Sequence, residues 1–290
     1  MIDPALIDNP VKRKLAADET VLMMSLRQLR TPDAAMIVRE CGFDGFYVDC
    51  EHGMFSAAEV SSLCASALLC GLMPAVRVRS AAAADVAPAL DAGALAIIAP
   101  HIGSAEEAQA VVRAAKYPPL GERSIAALGP SSRYRSLPIA EIVRLQNDMT
   151  MVIAMLETEA GVAAAGAIAG VPGVDALMIG PTDLSAELGI AGEVRHPRIQ
   201  DAYFHALVSA RAHGKHFVAG GAGGPAVAQL VSRGARILMG ANDVSYFMTA
   251  ARQAAAGLRA QDQRSMTALD DERPPESGSS SQSFLGNGSA

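Results

Sequence analysis

Eight short runs in this chain are apolar almost without interruption, and no other feature constrains the fold as tightly. They read V-L-M-M-S-L (21–26), F-Y-V-D (46–49), P-A-V-R-V (74–78) and A-L-A-I-I-A-P (94–100), then M-V-I-A-M-L-E (151–157), V-D-A-L-M-I-G-P (174–181), H-F-V-A-G (216–220) and A-R-I-L-M-G (235–240). A strand with one wet face alternates apolar and polar residues. Continuous apolar runs of this length need cover on both faces, as parallel strands have.

The cover lies between the runs. D-A-A-M-I-V-R-E-C-G (33–42), V-A-P-A-L-D-A-G (86–93), D-A-Y-F-H-A-L-V-S-A-R-A-H-G (201–214) and P-A-V-A-Q-L-V-S-R-G (225–234) read as helices closed by glycine. S-A-E-E-A-Q-A-V-V-R-A-A-K-Y (104–117) has Ser at the cap position, acids in its first turn, bases in its last, and stops before Pro118-Pro119. Eight such units match a closed (β/α)8 TIM barrel, whose usual size is about 250 residues. The barrel domain is expected over residues 1–261. Residues 118–140 form the one long irregular insertion, a candidate lid or subunit contact. From residue 262 the composition turns to Asp, Glu, Gln, Pro, Ser and Gly, so 262–290 is expected to be a disordered tail.

Composition narrows the function classes. Half of the 290 residues are hydrophobic, enough for a full-sized core, but aromatics are 4% and Trp is absent. That leaves little base-stacking surface, and a net charge of -6 weighs against nucleic acid or an anionic membrane as partner. No secretory leader or uninterrupted bilayer-length apolar segment is visible, so a soluble cytoplasmic protein is expected. Cys41, Cys50, Cys64 and Cys70 lack a C-x-x-C spacing and read as buried free thiols.

The first polar residues after the apolar runs carry the chemistry. The second strand ends in Asp49, Glu51 and His52. The third carries Arg77, with Arg79 beyond. The fourth ends at Pro100-His101, the fifth at Glu157, and the sixth at G-P-T-D, which places Asp183 just past its end. In a barrel these carboxyl ends ring one mouth, where such folds hold their sites. The plain alternative is that strands end in polar residues because the chain re-enters solvent. Glu157 and Asp183, on neighbouring strands near Arg77 and His52, suit a hard divalent cation such as Mg2+. A glycosidase acid/base pair is the other use of two carboxylates, but it leaves Arg77 without a part and lacks a Trp platform. No second His or Cys stands at ligand spacing beside His52, which argues against a zinc site. An imine-forming aldolase needs a Lys at the mouth. Lys12 and Lys14 lie in the N-terminal arm, Lys116 ends a helix, and Lys215 precedes the seventh strand, so none qualifies. G-G-A-G-G (220–224) is too short for a P-loop.

Y-V-D-C-E-H-G, P-A-V-R-V, A-M-L-E-T and V-D-A-L-M-I-G-P-T-D-L-S-A-E-L-G together resemble the HpcH/HpaI family of class II, metal-dependent pyruvate aldolases, over roughly residues 10–260. The resemblance implies a (β/α)8 barrel whose last helix is exchanged between subunits of a homo-oligomer, commonly a hexamer. It implies a carbon–carbon lyase that cleaves 4-hydroxy-2-oxoacids to pyruvate and an aldehyde and runs the reverse addition, with pyruvate or hydroxypyruvate as the nucleophilic partner. Carried over by position, Glu157 and Asp183 hold Mg2+, Mn2+ or Co2+, and Arg77 contacts the keto oxygen. His52 takes part in proton transfer with help from Asp91, and Asp49 organises the site. Gly180, Pro181 and Thr182 receive the carboxylate, and Arg123 matches the family's glycine-arginine segment, although Ser124 stands where Gly is usual. Glu51 reads as a neighbour of metal-bound water rather than a ligand. Met155 stands where members often have Gln beside the bound ketoacid, and either faces substrate or packs in the core. Arg79 and His101 also depart from the pattern. These departures keep open a related lyase or synthase acting on a dicarboxylate or an acyl thioester, beside a barrel that is purely structural.

Overall fold

In a computed structural model, residues 8–221 and 224–271 are described. All eight expected strands are present: β1 Val21–Leu26, β2 Gly45–Asp49, β3 Met73–Arg77, β4 Ala96–Ala99, β5 Met151–Leu156, β6 Ala176–Ile179, β7 His216–Gly220 and β8 Ile237–Asn242. They pair in parallel in sequence order and close on themselves, β8 against β1. The barrel is therefore a (β/α)8 barrel, with helices between the strands.

The continuous apolar runs are explained by which way alternate residues point. On β5, Met151, Ile153 and Met155 join the cluster inside the barrel, while Val152, Ala154 and Leu156 pack outward on the helices. Both faces are buried, so neither alternates with polar residues. The interior layers also take Met23, Met73 and Met178, together with small residues such as Ala75, Ala96 and Ala176. Flexible thioethers beside alanines fill most of this space, with the Tyr47 ring among them.

The far end is closed by the helix Pro10–Ala16. Asn9 caps it, accepting from the backbone N–H of Val11 and Lys12, and Val11 and Leu15 enter the interior cluster. Lys12 pairs with Asp175 at 3.0 Å and Lys14 with Asp44 at 2.8 Å. The glycines expected to end helices do so with positive φ: Gly42, Gly93, Gly214 and Gly234.

Three expectations need adjustment. Only Cys64 is fully buried, and Cys41, at the C-terminus of the helix Ala34–Glu40, is exposed; all four thiols are free. The helices Ala57–Leu69 and Ile139–Met149 add to those read from the sequence. The barrel unit extends to Ser245, and residues from Tyr246 form a second unit. The helix Asp243–Asp271 continues past residue 261, while 272–290 of the expected tail, like residues 222 and 223 of G-G-A-G-G, lies outside the described residues. Among the described residues no helix is long and apolar enough to cross a membrane.

Candidate active site

The alternation that fills the barrel also builds its mouth. Tyr47 and Asp49 follow Gly45 on one face of β2, and Asp49 is in register with Arg77 on β3. Met155 precedes Glu157 by the same two-residue step on β5. The interior faces of β2, β3 and β5 thus end in Asp49, Arg77 and Glu157 once the apolar layers are complete. A cavity of about 410 Å³ opens there, lined among others by Arg27, His52, Arg77, Met155, Glu157 and Asp183.

Asp49 is the anchor. It is wholly buried and accepts from Arg77 Nε at 2.9 Å and Nη2 at 2.7 Å. It also accepts from Arg27 Nε at 2.9 Å and from the His52 backbone N–H at 3.2 Å. Burial pushes its carboxyl up, but the bonds and charge of Arg77, the His52 N–H and Arg27 together outweigh this, so it is held below the usual range. The fork-on-fork contact fixes the Arg77 guanidinium. Its Nη1 lies 2.9 Å from Glu51 Oε2 and 3.9 Å from Met155 Sδ.

A second acidic group gathers at the ends of β4 and β5. Glu157, 2% exposed, accepts from the His101 backbone N–H at 2.9 Å. His101 adopts φ +56°, and its ring joins the acids, Nε2 lying 3.0 Å from Glu51 Oε1 and Nδ1 3.5 Å from Glu157 Oε1. One donor atom from each of Glu51, His101 and Glu157 falls within 4.8 Å of the other two. Asp183, exposed in the helix Pro181–Glu187, lines the same cavity. Burial, then the Asp183 and Glu51 carboxyls, push Glu157 up to about 7 against the opposing His101 N–H and ring. Gly180 lets this carboxylate lie flat on the β6 turn, since a Cβ there would stand 2.4 Å from Glu157 Oε2.

The structure thus brings together Asp49, His52, Arg77, Met155, Glu157, Gly180, Pro181, Thr182 and Asp183 at one mouth. Met155 is buried in the interior cluster and also lines the cavity. Two expected residues do not join it within the chain. Asp91 ends the helix Ala83–Asp91, which runs back from the strand ends, and pairs with Arg123 at 2.6 Å. Arg123 is buried over the Tyr117 ring. Neither lines the mouth cavity, and Asp91 makes no bond to His52 among the described residues. His52 is half-exposed, with Nε2 3.9 Å from Glu51 Oε2. Arg79 lines a groove between the helices Ala57–Leu69 and Ala83–Asp91 instead of the mouth. Lys116 is buried, donating to the carbonyls of Asn147 and Thr150, and burial lowers its pKa to about 8.

Arg27 was not among the expected site residues. It is the first polar residue after the charge-free run Val21–Leu26, so the rule that points to Asp49 and Glu157 points to it as well.

A family profile described as HpcH/HpaI aldolase/citrate lyase matches residues 23–250. A 4-hydroxy-4-methyl-2-oxoglutarate aldolase of Chaetomium globosum is 35% identical over 209 residues, 71% of this chain and 78% of the relative. The crystal structure of an HpcH/HpaI aldolase from Desulfitobacterium hafniense superposes with a TM-score of 0.82 at 33% identity, covering 86% of this chain and 96% of that one. A citrate synthase structure gives a TM-score of 0.78 at 27% identity, covering 88% and 98%.

Proposed function

Because the chain belongs to the HpcH/HpaI aldolase/citrate lyase family, we propose that it is a divalent-metal-dependent aldolase. It cleaves 4-hydroxy-2-oxoacids to pyruvate and a carbonyl partner and runs the reverse addition, a carbon–carbon lyase like its curated relative. One observation carries the reading: Glu157, Asp183, Arg77 and His52 line a single cavity at the strand ends.

The donor set fits a hard divalent ion. Three carboxylates, Glu51, Glu157 and Asp183, crowd one region, and the most buried is pushed up to about 7 by burial and by the other two, which a bound cation would relieve. Glu157 and Asp183 would hold Mg2+, Mn2+ or Co2+, with His101 and Glu51 alongside. The ion would supply Lewis acidity at the 2-oxo oxygen of the substrate.

The side chains account for the remaining work. Arg77, locked by Asp49, presents fixed positive charge where negative charge grows as the C3–C4 bond breaks and its electron pair stays on C3. Because the guanidinium is already oriented, little reorganisation accompanies that change. His52, or a water it polarises, receives the C4 hydroxyl proton, and a proton returned to C3 gives pyruvate. The turn at Gly180, Pro181 and Thr182 receives the substrate carboxylate. Since Asp91 and Arg123 do not reach this mouth, any part they play falls to a neighbouring copy in a homo-oligomer, a hexamer with the last helix exchanged. The protein works in the cytoplasm.

A second reading keeps the site and changes the reaction to a related lyase or synthase acting on a dicarboxylate or acyl thioester, favoured by the likeness to a citrate synthase. One experiment separates the two. Pyruvate and Mn2+ are incubated with a panel of aldehydes and oxo acids, and with coenzyme A esters, and products are read by mass. The aldolase reading expects adducts without any thioester and their loss in Glu157→Gln. Products only with thioesters favour the second reading.

A further inference from the structure

Arg27 lines the mouth cavity yet has no part in the proposed bond cleavage. It follows Val21, Met23 and Ser25 on the inward side of β1, one step beyond the strand, as Asp49 ends the inward side of β2. Its backbone is held firmly. Asp243, a buried carboxylate just past β8, accepts from the N–H of Arg27 at 3.0 Å, Gln28 at 2.8 Å and Leu29 at 2.7 Å. Its side chain is held too, Nε donating to Asp49 Oδ2 at 2.9 Å.

Charge balance makes this arrangement informative. Arg77 already gives Asp49 a bidentate partner, so a second guanidinium is not needed to neutralise it. With Glu51 also 2.9 Å from Arg77 Nη1, the two arginines face two carboxylates, and what this side of the mouth has to spare is hydrogen-bond donors. Among the described residues no side chain accepts from Arg27 Nη1 or Nη2, and the side chain is 37% exposed. A guanidinium fixed at Nε with both terminal nitrogens free is a fork suited to an incoming carboxylate. β1 also stands across the barrel from β5 and β6, which carry Glu157 and Asp183. A ligand with an anion at each end would span the two.

We propose that Arg27 recognises a second anionic group of the substrate, a carboxylate distal to the 2-oxo acid end. The site then selects dianionic 2-oxo acids in cleavage and oxo acids over neutral aldehydes in addition. This rests on the reading of the mouth as a 2-oxo acid site.

The test uses binding, so that it stands apart from turnover. Mn2+-loaded protein is titrated calorimetrically with 2-oxoglutarate and with 2-oxopentanoate, which has a methyl group in place of the distal carboxylate. Wild type binds 2-oxoglutarate at least about tenfold more tightly. Arg27→Gln, which keeps an amide to donate to Asp49, loses the preference, and Arg27→Lys keeps part of it. A wild-type protein without preference overturns the proposal, as does a preference that survives in Arg27→Gln. Deuterium exchange into pyruvate by the same samples reports on the aldolase reading separately. An Arg27-dependent preference without exchange would sink the aldolase while sparing the recognition role.

Discussion

Asp49→Asn removes one charge and changes almost no volume, and it tests the electrostatic frame of the mouth. The wild-type carboxylate accepts two bonds from Arg77, one from Arg27 and one from the His52 N–H. Asparagine keeps one acceptor oxygen but turns an NH2 group toward an arginine that can only donate. Breaking a buried ion pair on one side typically costs about 3–5 kcal/mol. Arg27, 37% exposed, can hand its charge to water, and Arg77 keeps Glu51 at 2.9 Å, so the lower end, about 3 kcal/mol, applies. Urea unfolding at pH 7 measures it. The Asp49 carboxyl is held below its ordinary value, so its stabilisation is present above the unfolded pKa, near 3.8, and lost as the pH falls through the lower folded value. The gap between wild type and Asp49→Asn should therefore close in acid. Pairing Asp49→Leu with Arg77→Met should recover part of the loss, because the Asp49–Arg77 pair is removed together while Glu51 gives up its partner at 2.9 Å. An Asp49→Asn protein within about 0.5 kcal/mol of wild type at pH 7 refutes the reasoning, and so does a gap that persists in acid.

Two further outcomes follow from the acidic group. Glu157 is raised from 4.5 to about 7, so in chelated protein its ionisation cost begins near pH 4.5 and is complete above pH 7. That amounts to about 3 kcal/mol. Thermal unfolding of metal-free wild type should show this loss between pH 5 and 8 relative to Glu157→Gln, and added Mn2+ should remove it; parallel profiles for the two proteins would contradict it. Gly180→Ala would place a Cβ 2.4 Å from Glu157 Oε2. Mn2+ affinity, read by electron paramagnetic resonance, should weaken about tenfold or more, and unchanged affinity would show that the carboxylate needs no open glycine beside it.

The barrel was readable because eight doubly buried strands leave a pattern that solvent-facing strands do not. Boundaries differ by a residue or two, as at β4, where the apolar run 94–100 forms a strand only over Ala96–Ala99. Asp49, Arg77 and Glu157 were readable because the two-residue period carries the inward face from the apolar layers to the mouth. Applied to the first run, that reasoning also reaches Arg27, but no acid or histidine follows it to draw attention. The Asp91–Arg123 pair was not readable. It depends on where a returning helix and the irregular segment meet at 2.6 Å, and strand periodicity says nothing about that. Nor does sequence order reveal that the His101 ring joins Glu51 to Glu157, since this depends on a left-handed backbone at residue 101.

The central claim is that Glu157 and Asp183 hold a divalent ion that lets this mouth ionise pyruvate. Exchange of the pyruvate methyl protons in D2O, followed by NMR, tests it without knowledge of the carbonyl partner. Exchange is expected with Mg2+ or Mn2+, with its loss on stripping the metal, its return on adding metal back, and none in Glu157→Gln. Stripped protein that exchanges as fast as the metal-loaded form would contradict the account.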